Sequence, residues 1–145
     1  MERNLPYALE CYKKTAGYGN DSYACRQLGR LYFNGWGTAV DYAQAIQWLE
    51  RDKEPEGIKY DLLGICYLLG RGCQQNPARG KAFLEKSQDS PYKSYGLGMM
   101  YAEGIGVREN IEKGVEYLKA AGNYGPAIEA LKHYKKSLFG VWRRK

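Results

Sequence analysis

The stretch from residue 28 to residue 49 decides the fold, because its pattern occurs three times. It begins with Leu28-Gly29-Arg30-Leu31-Tyr32 and continues through Gly35-Trp36-Gly37 to Asp41 and Trp48-Leu49. The pattern returns at steps of 35 and 34 residues, and a fixed period of this length predicts a repeat architecture. The second copy holds Leu63-Gly64-Ile65-Cys66-Tyr67, Gly70-Arg71-Gly72, Asn76 and Phe83-Leu84; the third holds Leu97-Gly98-Met99-Met100-Tyr101, Gly104-Ile105-Gly106, Asn110 and Tyr117-Leu118.

Each copy predicts a pair of helices, named helix A and helix B. Ala24, Leu28, Leu31 and Tyr32 have the spacing of one helical face. The G-x-G segment ends helix A, because glycine adopts left-handed backbone angles at little cost. The short polar residue that follows, Asp41 in the first copy, is a typical N-cap for helix B. Eight helices are predicted, over residues 4–18, 22–34, 41–53, 58–69, 77–88, 92–103, 110–122 and 126–138.

Small residues in the middle of these helices predict close helix packing. Glycine inside a helix costs up to ~1 kcal/mol relative to alanine, so a packing reason is needed. Helix B has a small residue three positions before its aromatic residue, as in Ala45, Gly80 and Gly114. We expect helices A and B to approach closely at these residues, with aromatic rings beside them. The predicted structural residues are Gly29, Gly64, Gly98, Tyr32, Tyr67 and Tyr101.

The length of 145 residues is that of a single domain. Residues 4–19 have the pattern of a helix B without a helix A before it. Repeats are predicted over residues 22–56, 57–90 and 91–125, followed by a capping helix over 126–138 and a basic tail over 139–145.

The pattern L-G-x-x-Y, G-x-G, Asp or Asn, a small residue and an aromatic residue resembles the Sel-one-like repeat (SLR) from Asn4 to Leu138. That family is related to the tetratricopeptide repeat. The resemblance implies an all-α fold, a right-handed α/α superhelix of about eight antiparallel helices in 34–35-residue repeats. It also implies a protein-binding scaffold without catalytic residues. The chain departs from the pattern at Thr38 and Cys73, where the family usually has an aliphatic residue, and over residues 52–56.

The charge of the chain is uneven. The net charge is +6, and residues 73–145 carry all of it. The last residues, from Lys132 to Lys145, are basic and contain no acid. A solvated basic tail is the simpler interpretation. Membrane contact through the tail, with Phe139 and Trp142 as anchors, is the alternative, and no nucleic-acid partner is expected.

The residue types argue against catalysis. The single histidine, His133, disfavours histidine-based triads and multi-histidine metal sites, and no C-x-x-C pair is present. The G-x-G segments follow helices rather than strands, unlike phosphate-binding loops. No catalytic residue, metal or cofactor is therefore predicted. Reduced thiols in the core are the simpler interpretation of the cysteines, but Cys11/Cys25 and Cys66/Cys73 disulfides stay open, since some secreted bacterial relatives contain disulfides.

The arc of helix A opposite its core face is the predicted binding surface. It is rich in Tyr, Ile, Leu, Met and Arg, a composition enriched at the cores of interfaces. Burial between neighbouring A helices is the alternative, and it would explain Phe33, Leu62 and Leu68. The predicted protein-binding residues are Tyr23, Arg26, Arg30, Asn34, Asp61, Ile65, Leu69, Tyr92, Tyr95, Met99 and Glu103, with Arg30, Ile65 and Met99 at the centre of the arc.

The predicted function is therefore a non-catalytic scaffold or adaptor that binds a partner protein on its concave face. One alternative is a bacterial immunity protein that neutralises a secreted toxin of the type VI effector type by direct binding. A second is a hydrolase of the cysteine-rich repeat type. A cytoplasmic location is expected if Met1 is the natural start, and a periplasmic or secreted one if a leader has been removed.

Overall fold

A computed structural model describes residues 4–19, 21–55 and 59–145. These residues form eight helices and one short hairpin, which confirms the predicted all-α solenoid. The elements are α1 (Leu5–Gly19), α2 (Ser22–Asn34), α3 (Tyr42–Arg51), α4 (Lys59–Leu69), α5 (Pro77–Lys86), α6 (Pro91–Glu103), α7 (Ile111–Ala120), α8 (Gly125–Leu131), β1 (Tyr134–Lys136) and β2 (Trp142–Arg144). Helices α2, α4 and α6 are the A helices, and α3, α5 and α7 are their B partners.

The loops between helix A and helix B repeat the same hydrogen bonds. In each loop the residue between the two glycines donates its N–H to the carbonyl five residues before it, at 2.9–3.0 Å. The side chains of Asp41, Asn76 and Asn110 accept the backbone N–H three residues later, at 3.0–3.1 Å. The three predicted N-caps are therefore confirmed.

Glycines bring the two helices of each pair into contact. A Cβ added to Gly29 would lie 2.4 Å from Cγ of Leu49, and one added to Gly64 would lie 2.8 Å from Cγ of Leu84. On the opposite helix, a Cβ on Gly114 would lie 2.5 Å from the backbone nitrogen of Ala102. Real Cβ atoms do not approach other atoms this closely. The observed spacing between the helices therefore requires glycine at these positions.

The second glycine of each G-x-G stacks one repeat on the preceding one. Gly72 has φ 74°, and a Cβ on it would lie 2.5 Å from the carbonyl carbon of Tyr42 at the start of α3. Gly106 has φ 72° and lies against Pro77 at the start of α5. These left-handed glycines therefore pack against the first turn of the preceding helix B.

Helix α4 is at the centre of the molecule. It packs on its partner α5 and also lies against both neighbouring A helices, α2 and α6. Every residue from Asp61 to Leu68 is buried as a result. Phe33, Leu62 and Leu68 are buried, as the alternative interpretation of the arc expects.

The join between the first and second repeats lies where residues 52–56 depart from the repeat pattern. The buried carboxylate of Asp52 accepts a hydrogen bond from Nε of Arg26 at 2.9 Å. Nζ of the buried Lys59 donates to the carbonyl of Asp52 at 2.7 Å and also contacts the carbonyl of Glu54. The predicted boundary between residues 56 and 57 lies outside the described residues.

The predicted capping helix over 126–138 is too long. Helix α8 ends at Leu131, and β1 then pairs antiparallel with β2. Tyr, Val and Trp, which favour strands, occupy this segment, and Gly140 with φ 80° makes the turn between the strands. The sequence-based prediction extended the helix through Tyr134–Lys136, the residues that form β1.

The basic residues of the tail over 139–145 are exposed, as a solvated tail predicts, but β2 is anchored to the body of the protein. Arg144 donates to the carbonyl of Ala102 at 2.7 Å and forms an ion pair with Glu109 at 2.8 Å. The ammonium of Lys119 lies 4.5 Å from the ring centre of Trp142. Phe139, the other residue considered as a membrane anchor, lies exposed in the turn between the strands. No helix within the described residues has the length and apolarity that spanning a bilayer requires.

We predict that Gly114→Ala destabilises the protein by about 1–3 kcal/mol, the usual cost of overpacking. The new Cβ would meet the backbone of Ala102, which cannot rotate away. The measurement is the free energy of unfolding in urea. Gly17→Ala is the matched control, because nothing lies within 4 Å of a Cβ there and alanine favours the helix. Equal effects of the two substitutions would contradict the packing role.

Candidate binding groove

Two adjoining cavities on the helix A side form the candidate site, and together they are called the groove. The larger has a volume of about 480 Å³ and lies between the end of α2 and the connection from α7 to α8. The smaller has a volume of about 280 Å³ and lies between α6 and α8. Arg71 and Pro126 line both cavities.

Five aromatic rings stand in series around Arg71, each in edge-to-face contact with the next. Their order is Tyr42, Phe33, Tyr92, Tyr124 and Tyr95, with ring centres 5.4, 6.0, 5.0 and 5.4 Å apart. The guanidinium carbon of Arg71 lies 5.5 Å from the ring centre of Tyr42 and 5.7 Å from that of Tyr95. Arg71 thus closes the series, and we call these six residues the Arg71 cluster.

Hydrogen bonds fix the cluster between separate helices. Nη2 of Arg71 donates to Oη of Tyr95 at 2.9 Å, which joins the second G-x-G loop to α6. Nδ2 of Asn34 donates to Oη of Tyr92 at 3.1 Å, which joins α2 to α6. The groove is therefore built on the packed A helices rather than on a free loop.

The family model for the Sel1 repeat matches residues 1–17, 22–51, 61–87 and 94–123 of the chain. The chain belongs to the Sel1 repeat family. This confirms the resemblance seen in the sequence. Sel1 repeat proteins are in general non-catalytic scaffolds.

Three proteins that are similar to this Sel1 repeat chain are all longer than it, and the chain spans only part of each. The ERAD-associated E3 ubiquitin-protein ligase component HRD3B of Arabidopsis thaliana is 27% identical over 95 residues, which are 63% of the chain and 15% of HRD3B. A protective antigen of uropathogenic Escherichia coli with an SLR fold is 29% identical, with a TM-score of 0.55, over 85% of this chain and 27% of that one. A Sel1 repeat protein from Oxalobacter formigenes is 21% identical, with a TM-score of 0.57, over 88% and 54% of the two chains.

The expected exposure is wrong for three of the predicted binding residues. Ile65 is completely buried, Asp61 is 1% exposed and Tyr95 is 3% exposed. Helix α4 is enclosed by α2, α5 and α6, so the arc that should carry Asp61 and Ile65 to the surface faces neighbouring helices. The binding surface of this Sel1 repeat chain therefore cannot be centred on Ile65.

The groove contains only some of the other predicted binding residues. Asn34 lines the larger cavity, Met99 and Glu103 line the smaller, and the half-buried Tyr92 belongs to the Arg71 cluster. Elsewhere, Arg26 is held by its ion pair with Asp52, and Tyr23 and Arg26 line a different cavity of about 600 Å³ at the start of α2. Arg30 stacks over Trp36 at 5.8 Å, and Leu69 is half-buried in the core.

The sequence analysis missed several residues of the groove, among them Trp36, Tyr42, Arg71 and Tyr124. Trp36 and Arg71 occupy the middle position of successive G-x-G segments. In that position the side chain differs from copy to copy while the flanking glycines recur. A variable residue between two fixed glycines was the available signal, because the glycines set the backbone and leave the middle side chain free.

Asp61 is a buried carboxyl that holds the start of α6. Its Oδ2 lies 2.6 Å from Oγ of Ser90, which caps α6 by accepting the N–H of Lys93 at 3.0 Å. Burial raises the pKa of Asp61 to about 7, and the hydrogen bonds from Ser90 and Leu62 and the charge of Arg30 oppose this only in part. Folded protein therefore takes up a proton at Asp61 more readily than unfolded protein.

We predict that this carboxyl makes stability depend on pH. Because its pKa is raised on folding, its stabilising contribution is complete below about pH 4 and is lost as the pH rises to about 7. Asp61→Asn should therefore gain stability relative to the unsubstituted protein across that interval. Urea unfolding at a series of pH values measures the difference, and parallel curves for the two proteins would contradict the prediction.

The thiols of the four cysteines are free and differ in burial. Cys25 and Cys66 are buried, Cys73 is half-buried and Cys11 is exposed. Burial raises the pKa of Cys66 to about 12, so its reactive thiolate is scarce at neutral pH. Among the described residues, no group of three or more His, Cys, Asp and Glu is placed to hold a metal ion.

We predict that iodoacetamide alkylates Cys11 much faster than Cys66 in the folded, fully reduced protein. Mass spectrometry of peptides at successive times gives the two rates, and unfolding in urea should make them similar. Equal rates in the folded protein would show that Cys66 is accessible. In a parallel sample that is unfolded without reductant, failure of both Cys66 and Cys73 to be alkylated would show a disulfide between them.

Proposed function

We propose that this chain is a non-catalytic interaction scaffold that holds a segment of a partner polypeptide in the groove. The observation that carries the proposal is the Arg71 cluster, together with the partly exposed Trp36, along an open groove. Tyr, Trp and Arg are the residues that contribute most to binding at protein interfaces. The volumes of the two cavities are comparable to those of small ligand pockets, which suits side chains inserted from a partner.

The comparisons support a role in assemblies. HRD3B is, by its name, a component of a ubiquitin ligase, and a component of this kind works by contact with other proteins. Since the chain spans 15% of HRD3B, we carry over only the idea that these repeats supply a binding surface. The alternatives of an immunity protein and of a hydrolase receive no support from the comparisons.

Site-specific photo-cross-linking in the cells that naturally make the protein tests the proposal. A photoreactive phenylalanine in place of Val40 or Asn123, both exposed on the wall of the larger cavity, should cross-link to a polypeptide partner. The same residue in place of Gln47 or Ala82, which are exposed on B helices, is the matched control. Equal cross-linking from both positions, or none from the groove, would contradict the proposal.

A substitution in the groove gives the energetic test. We predict that Trp36→Ala lowers the affinity for the partner identified by cross-linking about ten-fold or more, as loss of an aromatic anchor does at other interfaces. Trp36 is 38% exposed and so contributes little to the core. An unchanged melting temperature shows that the loss is one of binding, whereas unchanged capture would remove Trp36 from the binding surface.

A further inference from the structure

We propose that the larger cavity of the groove binds a carboxylate group of the partner polypeptide through the guanidinium of Arg71. This inference rests on the proposed function and specifies the chemistry of the segment that the groove receives. The occupant is an acidic residue of an extended peptide, flanked by apolar side chains.

Arg71 has no counter-ion among the described residues. Three other arginines do have one: Arg26 pairs with Asp52, Arg79 with Glu50 and Arg144 with Glu109. No ion pair joins Arg71 to any carboxylate of the described residues. A half-buried guanidinium is always charged, and removing it from water without an anionic partner is unfavourable. A carboxylate supplied from outside would compensate that cost.

Arg71 has hydrogen-bond donors to spare. A guanidinium has five N–H groups, and within the described residues Arg71 uses one of them, in the bond from Nη2 to Tyr95. The tyrosine rings on two sides hold the guanidinium plane in place, which favours a two-point contact with a carboxylate. Burial raises the pKa of the neighbouring Tyr124, so its hydroxyl stays protonated and remains a donor.

The linings of the two cavities differ in charge. No aspartate or glutamate lines the larger cavity; it presents the amides of Asn34 and Asn123 and the apolar surfaces of Trp36 and Val40. The smaller cavity already contains the carboxylates of Glu103 and Glu129, which pair with Arg144 and Lys132, so only the larger cavity presents Arg71 with no carboxylate in the lining. An acidic residue is therefore directed to the larger cavity, with its apolar neighbours on Trp36 and Val40.

Nuclear magnetic resonance with defined peptides tests the inference. The signal of the Nε–H group of Arg71, identified by its absence in Arg71→Met, is followed during titration. The probes are acetyl-Leu-Glu-Leu-amide, acetyl-Leu-Gln-Leu-amide and acetyl-Leu-Gln-Leu with a free C-terminal carboxylate. We expect a saturable shift with an acidic probe at concentrations up to about 5 mM, the range of a weak single-site contact, and none with the neutral probe. The acidic probe that acts at the lower concentration identifies the source of the carboxylate.

Variants separate the contribution of Arg71 from general loss of structure. Arg71→Met should reduce affinity for the acidic probe at least ten-fold, measured on the backbone signals of Asn34 and Asn123, whereas Arg71→Lys should retain part of it. Arg79→Met is the matched control, because Arg79 also stacks on aromatic rings, 4.3 Å from the ring centre of Tyr67, but lies outside the groove. The affinity of Arg79→Met for the acidic probe should equal that of the unsubstituted protein.

Three results would overturn the inference: equal shifts with the neutral probe, no shift with either acidic probe, or unchanged affinity in Arg71→Met. If cross-linking from Val40 persists in Arg71→Met, any of these results removes the carboxylate site and leaves the proposed function. If the groove positions never cross-link a partner, the proposed function fails, whatever the peptides do.

Discussion

The fold depends on the close approach of helix A to helix B, which leaves no room for a side chain at the glycines between them. Gly64 and Gly80 face each other across the second pair, and a Cβ on Gly80 would lie 2.6 Å from the nitrogen of Leu68. Leu49, Leu84 and Leu118 cover the A-helix glycines and are completely buried. These glycines are unfavourable within an isolated helix, so packing between the helices must compensate. The A helices, the groove and its aromatic cluster all depend on this spacing.

Periodic features of the sequence were sufficient for the repeated parts of the fold. The G-x-G segments, the N-caps and the small residues recur in register, and each has a local physical cause that one copy already displays. Predictions were wrong where the environment differs between copies. Helix α4 is enclosed on several sides, and its run from Asp61 to Leu68 is largely apolar, which is typical of a buried helix. Using one repeat as the template placed Ile65 on the surface. The C-terminal hairpin was missed because it has no counterpart in the repeats.

The candidate site was harder to predict than the fold, because it is formed by residues far apart in the sequence. Tyr42 and Tyr124 approach Arg71 only when the superhelix brings the start of the first helix B near the connection to α8. A single helical wheel contains no information on that distance. Asn34, Tyr92 and Met99 were identified because they lie on the arc of helix A that borders the groove. Their partners in the groove belong to loops and helix ends.

The G-x-G loop also separates the shape of the array from its chemistry. Its second glycine packs against the start of the preceding helix B, on the backbone of Tyr42 at Gly72 and on the ring of Pro77 at Gly106. Its middle residue is tryptophan, arginine or isoleucine in the three copies, while the loop hydrogen bonds remain the same. One backbone loop thus carries three chemically different side chains: Ile105 packs on the core, whereas Trp36 and Arg71 line the groove. The same main-chain geometry serves packing in one repeat and surface chemistry in the other two.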